Sequence, residues 1–201
     1  MSIGIIISFV TVLCIFALIG AHQKRAKRAI FLTIADKLDL NYSIERYRLY
    51  SRRPVLRGSF KGYDVKINQI TYSSGEDSET HTQFHVFDHG INTRFSISRE
   101  GFFNKIKKYF GNDDIQIGLK TLDNMFHFKS SNPAHLKAVF DEATQKRMLQ
   151  MTRIFDGHVE NVNGKILYTY PCNMTHKEEM TLFLKNIAFI LLILNRFKDT
   201  E

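Results

Sequence analysis

Hydrophobic residues are concentrated at the start of the chain. From Ile3 to Ala21 there are 19 residues without a charge. As a helix rising about 1.5 Å per residue, this run reaches across most of a hydrocarbon layer about 30 Å thick. Because Met1–Ile3 lacks the positive charge of a signal peptide, the pattern favours an uncleaved transmembrane anchor over residues 1–21. A cleaved signal peptide and a buried core helix are the alternatives.

A basic segment follows the apolar run and continues the helical pattern. Its charges are Lys24, Arg25, Lys27 and Arg28. Apolar residues spaced four apart extend the helical period, at Ala26, Ile30, Ile34 and Leu38. We therefore expect a basic juxtamembrane helix over residues 22–40. Because basic clusters stay on the cytosolic side of a membrane, we expect a single-pass protein of the cell (inner) membrane, with its N-terminus outside and its domain in the cytoplasm.

Alternation of apolar and polar residues then predicts strands. The segments 56–60 and 63–67 alternate on either side of Lys61-Gly62, which indicates a hairpin with one buried side. The polar run Ser73–Ser78 predicts a loop. Two further strands are predicted over Gln83–Phe87 and Asn92–Ser98, and in the second Thr93, Phe95 and Ile97 share a face. The first half of the domain is thus expected to be an antiparallel meander.

The second half combines both periods. A short strand is expected at Phe126 and Phe128. Asn132 and Pro133 occupy the N-cap and first positions of a helix of about four turns, with Leu136, Phe140 and Ala143 at helical spacing. Asn163-Gly164 is a strong type I′ hairpin signal, and a two-residue turn there places Val159 opposite Tyr168 and Asn161 opposite Ile166.

A last helix is expected to begin at a capping box and run to about Arg196. The box is Thr175-His176-Lys177-Glu178, in which the Thr hydroxyl and the Glu carboxylate each satisfy a backbone N–H. The apolar octet Ile187–Leu194 is too short for a span of about 20 residues. We expect this helix to be buried against the sheet, with a second membrane span or an interfacial or oligomer-forming helix as alternatives.

Together these elements predict an α+β fold. An N-terminal transmembrane helix is followed by one cytosolic domain, residues 41–201, in which a mainly antiparallel sheet is packed by two or three helices. Of the 201 residues, 44% are hydrophobic and 24% charged, with a net charge of +8. This composition excludes a collagen, a disordered polar chain and a disulfide-stapled miniprotein. Cys14 lies in the apolar run, so Cys172 has no partner within the domain, which suits a reducing compartment.

The sequence offers little catalytic chemistry. His81, His85 and His89 are four apart, and on a strand such positions are separated by about 13 Å, so one extended segment cannot close them around a metal. They are interpreted as solvated or hydrogen-bonded side chains. Nucleophile elbows, Walker loops, dinucleotide fingerprints and kinase signatures are not found in the sequence. We therefore expect no catalytic residues, no metal ligands and no cofactor.

The excess of basic residues indicates contact with an anionic surface. A second cluster, Arg46, Arg48, Arg52 and Arg53, lies close to the first in sequence. Each Lys or Arg near an anionic leaflet contributes about 1 kcal/mol of attraction. Both clusters, Lys24 to Arg28 and Arg46 to Arg53, are therefore candidate contacts for lipid or for a protein partner. The alternative is a strand edge guarded by charge. Nucleic acid is not expected as a partner, because no recognised binding motif accompanies the arginines.

These observations predict a non-enzymatic, membrane-anchored cytosolic module. It would act by contact with an unidentified membrane-associated protein partner or with anionic lipid headgroups. The alternative from another class is a membrane-tethered hydrolase or metal-dependent enzyme whose site is assembled from distant residues. The sequence leaves the oligomeric state open.

One segment carries a resemblance. The run Asp113 to Phe128, followed by Ser131-Asn132-Pro133 and a helix, resembles a Gly-Asp-x-x-Phe-Asp-x-x-Phe pattern of uncharacterised bacterial single-pass membrane-anchored proteins. Gly118, Asp123 and Phe126 match, whereas Leu119 stands in place of an acid and Leu122 in place of Phe. The resemblance implies a bacterial origin and the topology above, and it carries no activity and no catalytic residues.

Overall fold

A computed structural model describes residues 3–48, 51–74, 77–99, 114–162 and 164–200 of the chain, with the side chains of 3–10, 47, 48, 51, 74 and 77 outside the description. Five helices are described: α1 (Ile3–Leu38), α2 (Lys120–Asp123), α3 (Pro133–Val139), α4 (Glu142–Met151) and α5 (Lys177–Thr200). The strands are β1 (Asn41–Arg48), β2 (Ser51–Phe60), β3 (Tyr63–Ser74), β4 (Asp77–Phe87), β5 (Phe95–Arg99), β6 (Phe126–Ser130), β7 (His158–Val162) and β8 (Lys165–Tyr170).

The strands form one eight-stranded sheet in the order β1-β2-β3-β4-β8-β7-β5-β6. Every pairing in it is antiparallel, so the predicted α+β architecture with an antiparallel sheet is confirmed. The described helices exceed the two or three expected. The number is larger because the short α2 was not predicted and because α3 and α4 were predicted as one helix.

One row of directly paired residues crosses all eight strands and faces the helices. In sheet order it is Tyr42, Leu56, Ile67, Phe84, Tyr168, Val159, Ile97 and Phe128. All but Tyr42 are at most 1% exposed. Because side chains alternate between the two faces of a strand, the neighbouring row lies on the opposite face, and it is mostly polar. That row includes Arg57, Lys66, His85, Glu160, Ser96 and Lys129.

Helix α1 is a single 36-residue helix. It therefore contains both the apolar run and the predicted juxtamembrane helix, and the predicted helical continuation to Leu38 is confirmed. Its last turns enter the domain core, where Phe31 and Ile34 are fully buried. Leu40 N–H then donates to the Ala35 carbonyl over 2.8 Å, and Asp39 adopts a φ of 53°, which ends the helix.

Helix α5 covers the central strands. Phe183 stacks on Tyr168 with ring centroids 6.1 Å apart, and Phe197 stacks on Phe95 at 4.2 Å. Among the described residues, the helix that is long and apolar enough to cross a membrane is α5 rather than the N-terminal run, and 56% of its apolar window is buried inside the protein. The first eight residues of the N-terminal run, 3–10, have side chains outside the description. The burial of α5 supports the prediction of a helix packed against the sheet.

Two predicted hairpins are confirmed. In the first, Phe60 pairs with Tyr63 around Lys61-Gly62, whose φ angles of 51° and 80° are those of a type I′ turn. In the second, Val159 pairs with Tyr168 and Asn161 with Ile166, as a two-residue turn requires. Asn163 itself lies outside the described residues.

Several strand bounds differ from the prediction. The polar run Ser73–Ser78 is not a loop where it is described, since Ser73 pairs with Ser78 and Ser74 with Asp77; Gly75 and Glu76 lie outside the description. Backbone pairing extends the ribbon regardless of side-chain polarity. Strand β5 begins at Phe95 rather than Asn92. Strand β1 (Asn41–Arg48) was not predicted, because its charged residues hide the alternation.

The helix after Pro133 is two helices. Asn132 accepts a hydrogen bond from His135 N–H at 3.1 Å, which confirms the predicted cap. The expected four-turn helix was wrong, because Asp141 has extended backbone angles and its carboxylate accepts from Thr144 N–H at 2.8 Å, starting α4. The N-cap formed by Asp141 starts a new helix even though the apolar spacing fits one continuous helix.

The cap of α5 also differs from the expectation. Glu179, and not Glu178, accepts the backbone N–H groups of Thr175 and His176, at 2.6 and 2.8 Å. Helix α5 begins at Lys177 and ends at Thr200, four residues beyond the predicted Arg196. The capping acid is therefore three residues after His176, which places His176 at the N-cap.

Candidate functional site

A groove beside α1 gathers most of the predicted basic contacts. Its volume is about 360 Å³, and its lining comes from α1 (Lys24, Lys27 and Arg28), β1 (Tyr42 and Ile44), β2 (Arg52, Arg53 and Pro54), β3 (Gln69) and β4 (Thr80). None of the described residues that line it is acidic. Because α1 and β1 both border the groove, β1 must run back along α1 toward the apolar run.

The groove exists because two pairs of strands separate. Strand β2 pairs with β3 only from Val55 opposite Asn68 to Phe60 opposite Tyr63. Beyond Val55, β2 continues with β1, and β3 continues with β4. Arg53 bridges this gap: its guanidinium donates to the Gln69 carbonyl at 3.0 Å and to Thr71 Oγ1 at 2.7 Å. A cation therefore supplies a donor where a ladder hydrogen bond would otherwise lie.

Lys27 is held at another wall of the groove. Its Nζ donates to Asn173 Oδ1 over 2.6 Å. Gln69 is tied to the same segment, since its Nε2 donates to the Asn173 carbonyl at 2.7 Å. Burial lowers the pKa of the Lys27 ammonium, and the nearby positive charge of Arg53 lowers it further. The chain thus holds two cations close to each other at a cost in electrostatic energy.

The eight predicted contact residues separate into two groups. Five of them line the groove: Lys24, Lys27, Arg28, Arg52 and Arg53. Arg25 is exposed on α1 and does not line it. Arg46 is exposed on β1, directly opposite Arg52 in the register. The backbone of Arg48 pairs with Ser51, and its side chain lies outside the description.

The apolar part of the groove was not predicted. Tyr42, Ile44 and Pro54 stand on the helix-facing side of the first two strands, and Ile44 is 52% exposed. The signal available in the sequence was the alternation of Tyr42, Ile44 and Arg46, which indicates one strand face. Recognising that face would have joined the second basic cluster to apolar neighbours.

The three histidines do not converge. His81 and His85 lie on β4, whereas His89 follows the strand and accepts a hydrogen bond from Ile91 N–H. His85 Nε2 contacts Asn68 Oδ1 at 2.7 Å. Burial lowers the pKa of His85 to about 3, with further lowering from the charges of Lys165, Lys66 and Arg57, so its ring is neutral near pH 7. No group of three or more metal-ligating side chains comes together in the described part of the chain.

The segment that carries the family resemblance has a structural role. Gly118 adopts a φ of 97°, which favours glycine, and Asp123 accepts the N–H groups of Ile117 and Gly118 at 2.8 and 3.2 Å. Phe126 is buried. These contacts close the turn before β6, so the motif accounts for local folding.

Comparisons with known proteins give no match: no family model, no curated protein and no solved structure resembles the chain at a significant level. The resemblance noted above stays a prediction.

Proposed function

We propose that this protein is a single-pass membrane protein whose α1 anchors it and whose domain contacts anionic lipid headgroups without catalysis. The observation that supports it is the exposed apolar half of α1. Leu13, Phe16 and Leu18 are 52%, 67% and 70% exposed. A contiguous apolar surface of this kind marks a membrane or protein contact.

The two halves of α1 differ in their surroundings. Val12, Ile15 and Ile19 share the exposure of the first half. In contrast, Ile30 is 6% exposed, and Phe31 and Ile34 are fully buried in the domain. A bilayer supplies the apolar surroundings that the domain does not provide for the first half.

The charge distribution supports an orientation. The basic residues Lys24, Arg25, Lys27 and Arg28 immediately follow the apolar half. Such clusters stay on the cytosolic side. The domain is then cytoplasmic, the N-terminus is outside, and the groove faces the inner surface of the cell membrane. A membrane-associated protein is the alternative partner for a groove that faces the inner surface of the membrane.

The first experiment tests the anchor and its orientation in the full chain. Membranes from expressing cells are extracted with alkaline carbonate, and reporters that are active only in the cytoplasm or only outside it are fused after Glu201. We expect the chain to resist extraction and only the cytoplasmic reporter to be active. Release by carbonate, or activity of the external reporter alone, would contradict the proposal.

The second experiment tests headgroup contact. The full chain is reconstituted in vesicles of phosphatidylcholine alone or with phosphatidylglycerol, and protection of the domain from added protease is compared. We expect protection to increase with phosphatidylglycerol and to decrease with salt, since screening at about 0.15 M has a length of about 8 Å. Equal protection in both vesicles would overturn the contact with anionic lipid.

A further inference from the structure

We propose that the groove beside α1 binds the phosphate group of one anionic phospholipid per protein, with the lipid still resident in the membrane. This rests on the proposed function and makes it specific, because it replaces a diffuse attraction by a site. Phosphate is the chemistry in question, and a lipid headgroup is its source.

The charge of the groove suits a phosphate. Five cations line it, and the described lining contains no carboxylate to neutralise them. Lys24, Arg28 and Arg52 are exposed, and they make no hydrogen bond or ion pair with the described residues. Guanidinium groups match the oxygen atoms of a phosphate in pairs, and ammonium groups contribute point charges.

The cations at its base are held in place before any ligand arrives. Arg53 is fixed by the Gln69 carbonyl and by Thr71 Oγ1, and Thr71 is itself 3.0 Å from Thr80 Oγ1 at the groove wall. Lys27 is fixed by Asn173. Fixed donors lower the entropic cost of binding, because less side-chain freedom is lost. Burial and then the positive charge of Arg53 lower the pKa of Lys27, and an anion in the groove would offset the effect of Arg53.

The shape and position of the groove favour a lipid over free phosphate. Ile44 is half exposed beside the cations, together with Tyr42 and Pro54, so the groove is apolar on one side and cationic on the other. Lys24 follows the exposed Ile19 by five residues, about 7.5 Å along a helix. The polar layer of a bilayer is about 5–8 Å deep on each side. The groove therefore lies at headgroup depth, where an amphiphilic anion is concentrated.

The test is native mass spectrometry of the detergent-solubilised full chain, with phosphatidylglycerol and phosphatidylcholine as probes. The groove variant is Lys24→Gln with Arg28→Gln, and Arg52→Gln probes the opposite wall. All three residues are exposed, so folding should persist, as thermal unfolding will check. The control is Lys137→Gln with Lys146→Gln, which removes the same charge from exposed positions of α3 and α4.

We expect one phosphatidylglycerol on the natural chain, affinity about 30-fold weaker in the double groove variant, a smaller loss in Arg52→Gln, and no change in the control. An equal loss in the groove and control variants would overturn the site, while the vesicle preference above would still support general headgroup contact. Complete displacement of the lipid by millimolar inorganic phosphate would overturn the lipid as source. Absence of any phosphatidylglycerol preference in vesicles as well would overturn the proposed function itself.

Discussion

Two apolar helical segments in the described part of the chain, residues 12–19 of α1 and helix α5, have opposite surroundings. In α5, ten residues are buried, including Phe183, Ile187 and Leu194. The polar Asn186 in its middle donates to Tyr168 Oη at 2.8 Å and to the Ile154 carbonyl at 3.3 Å. In α1, Leu13 and Phe16 are more than half exposed. Apolar composition is shared, and burial separates the two.

Burial, rather than apolar composition, distinguishes the core helix α5 from the membrane anchor proposed for α1. Helix α5 meets the length and composition of a span, yet its apolar side is already covered by the sheet and its one central amide has protein partners. In α1, by contrast, the described large apolar side chains from Val12 to Ile19 remain 46% to 70% exposed. A helix needs a bilayer only for the surface that its own chain leaves exposed.

The largest effect is expected from charging the exposed helix. A double change, Leu13→Lys with Phe16→Lys, should release the chain from the membrane, because each central lysine costs about 2.5–3.5 kcal/mol of insertion. The stability of the domain should change by less than about 0.5 kcal/mol. Carbonate extraction and thermal unfolding measure the two quantities.

The matched control for that change lies in α5. Ala188 is the exposed second residue of the apolar octet, so Ala188→Lys should alter neither extraction nor unfolding. If Ala188→Lys released the chain and the α1 variant did not, the roles of the two helices would be reversed.

The next largest effect is expected from the loss of packing in α5. Phe183→Ala should lower the free energy of unfolding by about 3–5 kcal/mol, because a fully buried ring against Tyr168 and Tyr170 is lost. Phe16→Ala should change it by less than about 0.5 kcal/mol. Urea unfolding in detergent, followed by circular dichroism, gives both values. Equal losses would mean that α1 packs on the domain along its whole length.

The smallest effect concerns the start of α5. Glu179→Ala should cost about 1 kcal/mol, since two backbone N–H groups lose their acceptor, whereas Glu178→Ala should cost little. Burial of the Glu179 carboxyl raises its pKa, but the N–H groups of His176 and Thr175 outweigh this and hold the pKa below its ordinary value.

The pH dependence of that change follows from the sign of the shift. A carboxyl whose pKa is lowered by folding stabilises the fold above its unfolded pKa and loses this contribution as the pH falls through the folded value. The natural chain and Glu179→Ala should therefore differ at pH 7 and converge in acid. A difference that stays constant down to pH 3 would rule out the capping role of this carboxylate.

Local signals predicted much of the fold. Asn163-Gly164 determines the pairing of its own flanks, and Asn132-Pro133 starts a helix, because both act within a few residues. Asp141 was missed since its neighbours fit a continuous helix equally well. Strand β1 was missed because its charged residues obscure the alternation of Tyr42 and Ile44.

The groove could be predicted only in part, for a different reason. Its cations were recognised from their number and position in the chain. Their convergence depends on the separation of β2 from β3 and on contacts such as Lys27 with Asn173, which are 146 positions apart. No short window of sequence contains such a contact. The groove also combines one face of α1 with residues of four strands, β1 to β4.

Helix α1 passes from its exposed half into the core without a break over 36 residues. Because the helix is continuous, a rotation of its first part about the helix axis would turn the sheet with it. A change in the tilt of the helix would likewise displace the strands. The orientation of the domain is therefore coupled to the orientation of the first part of α1.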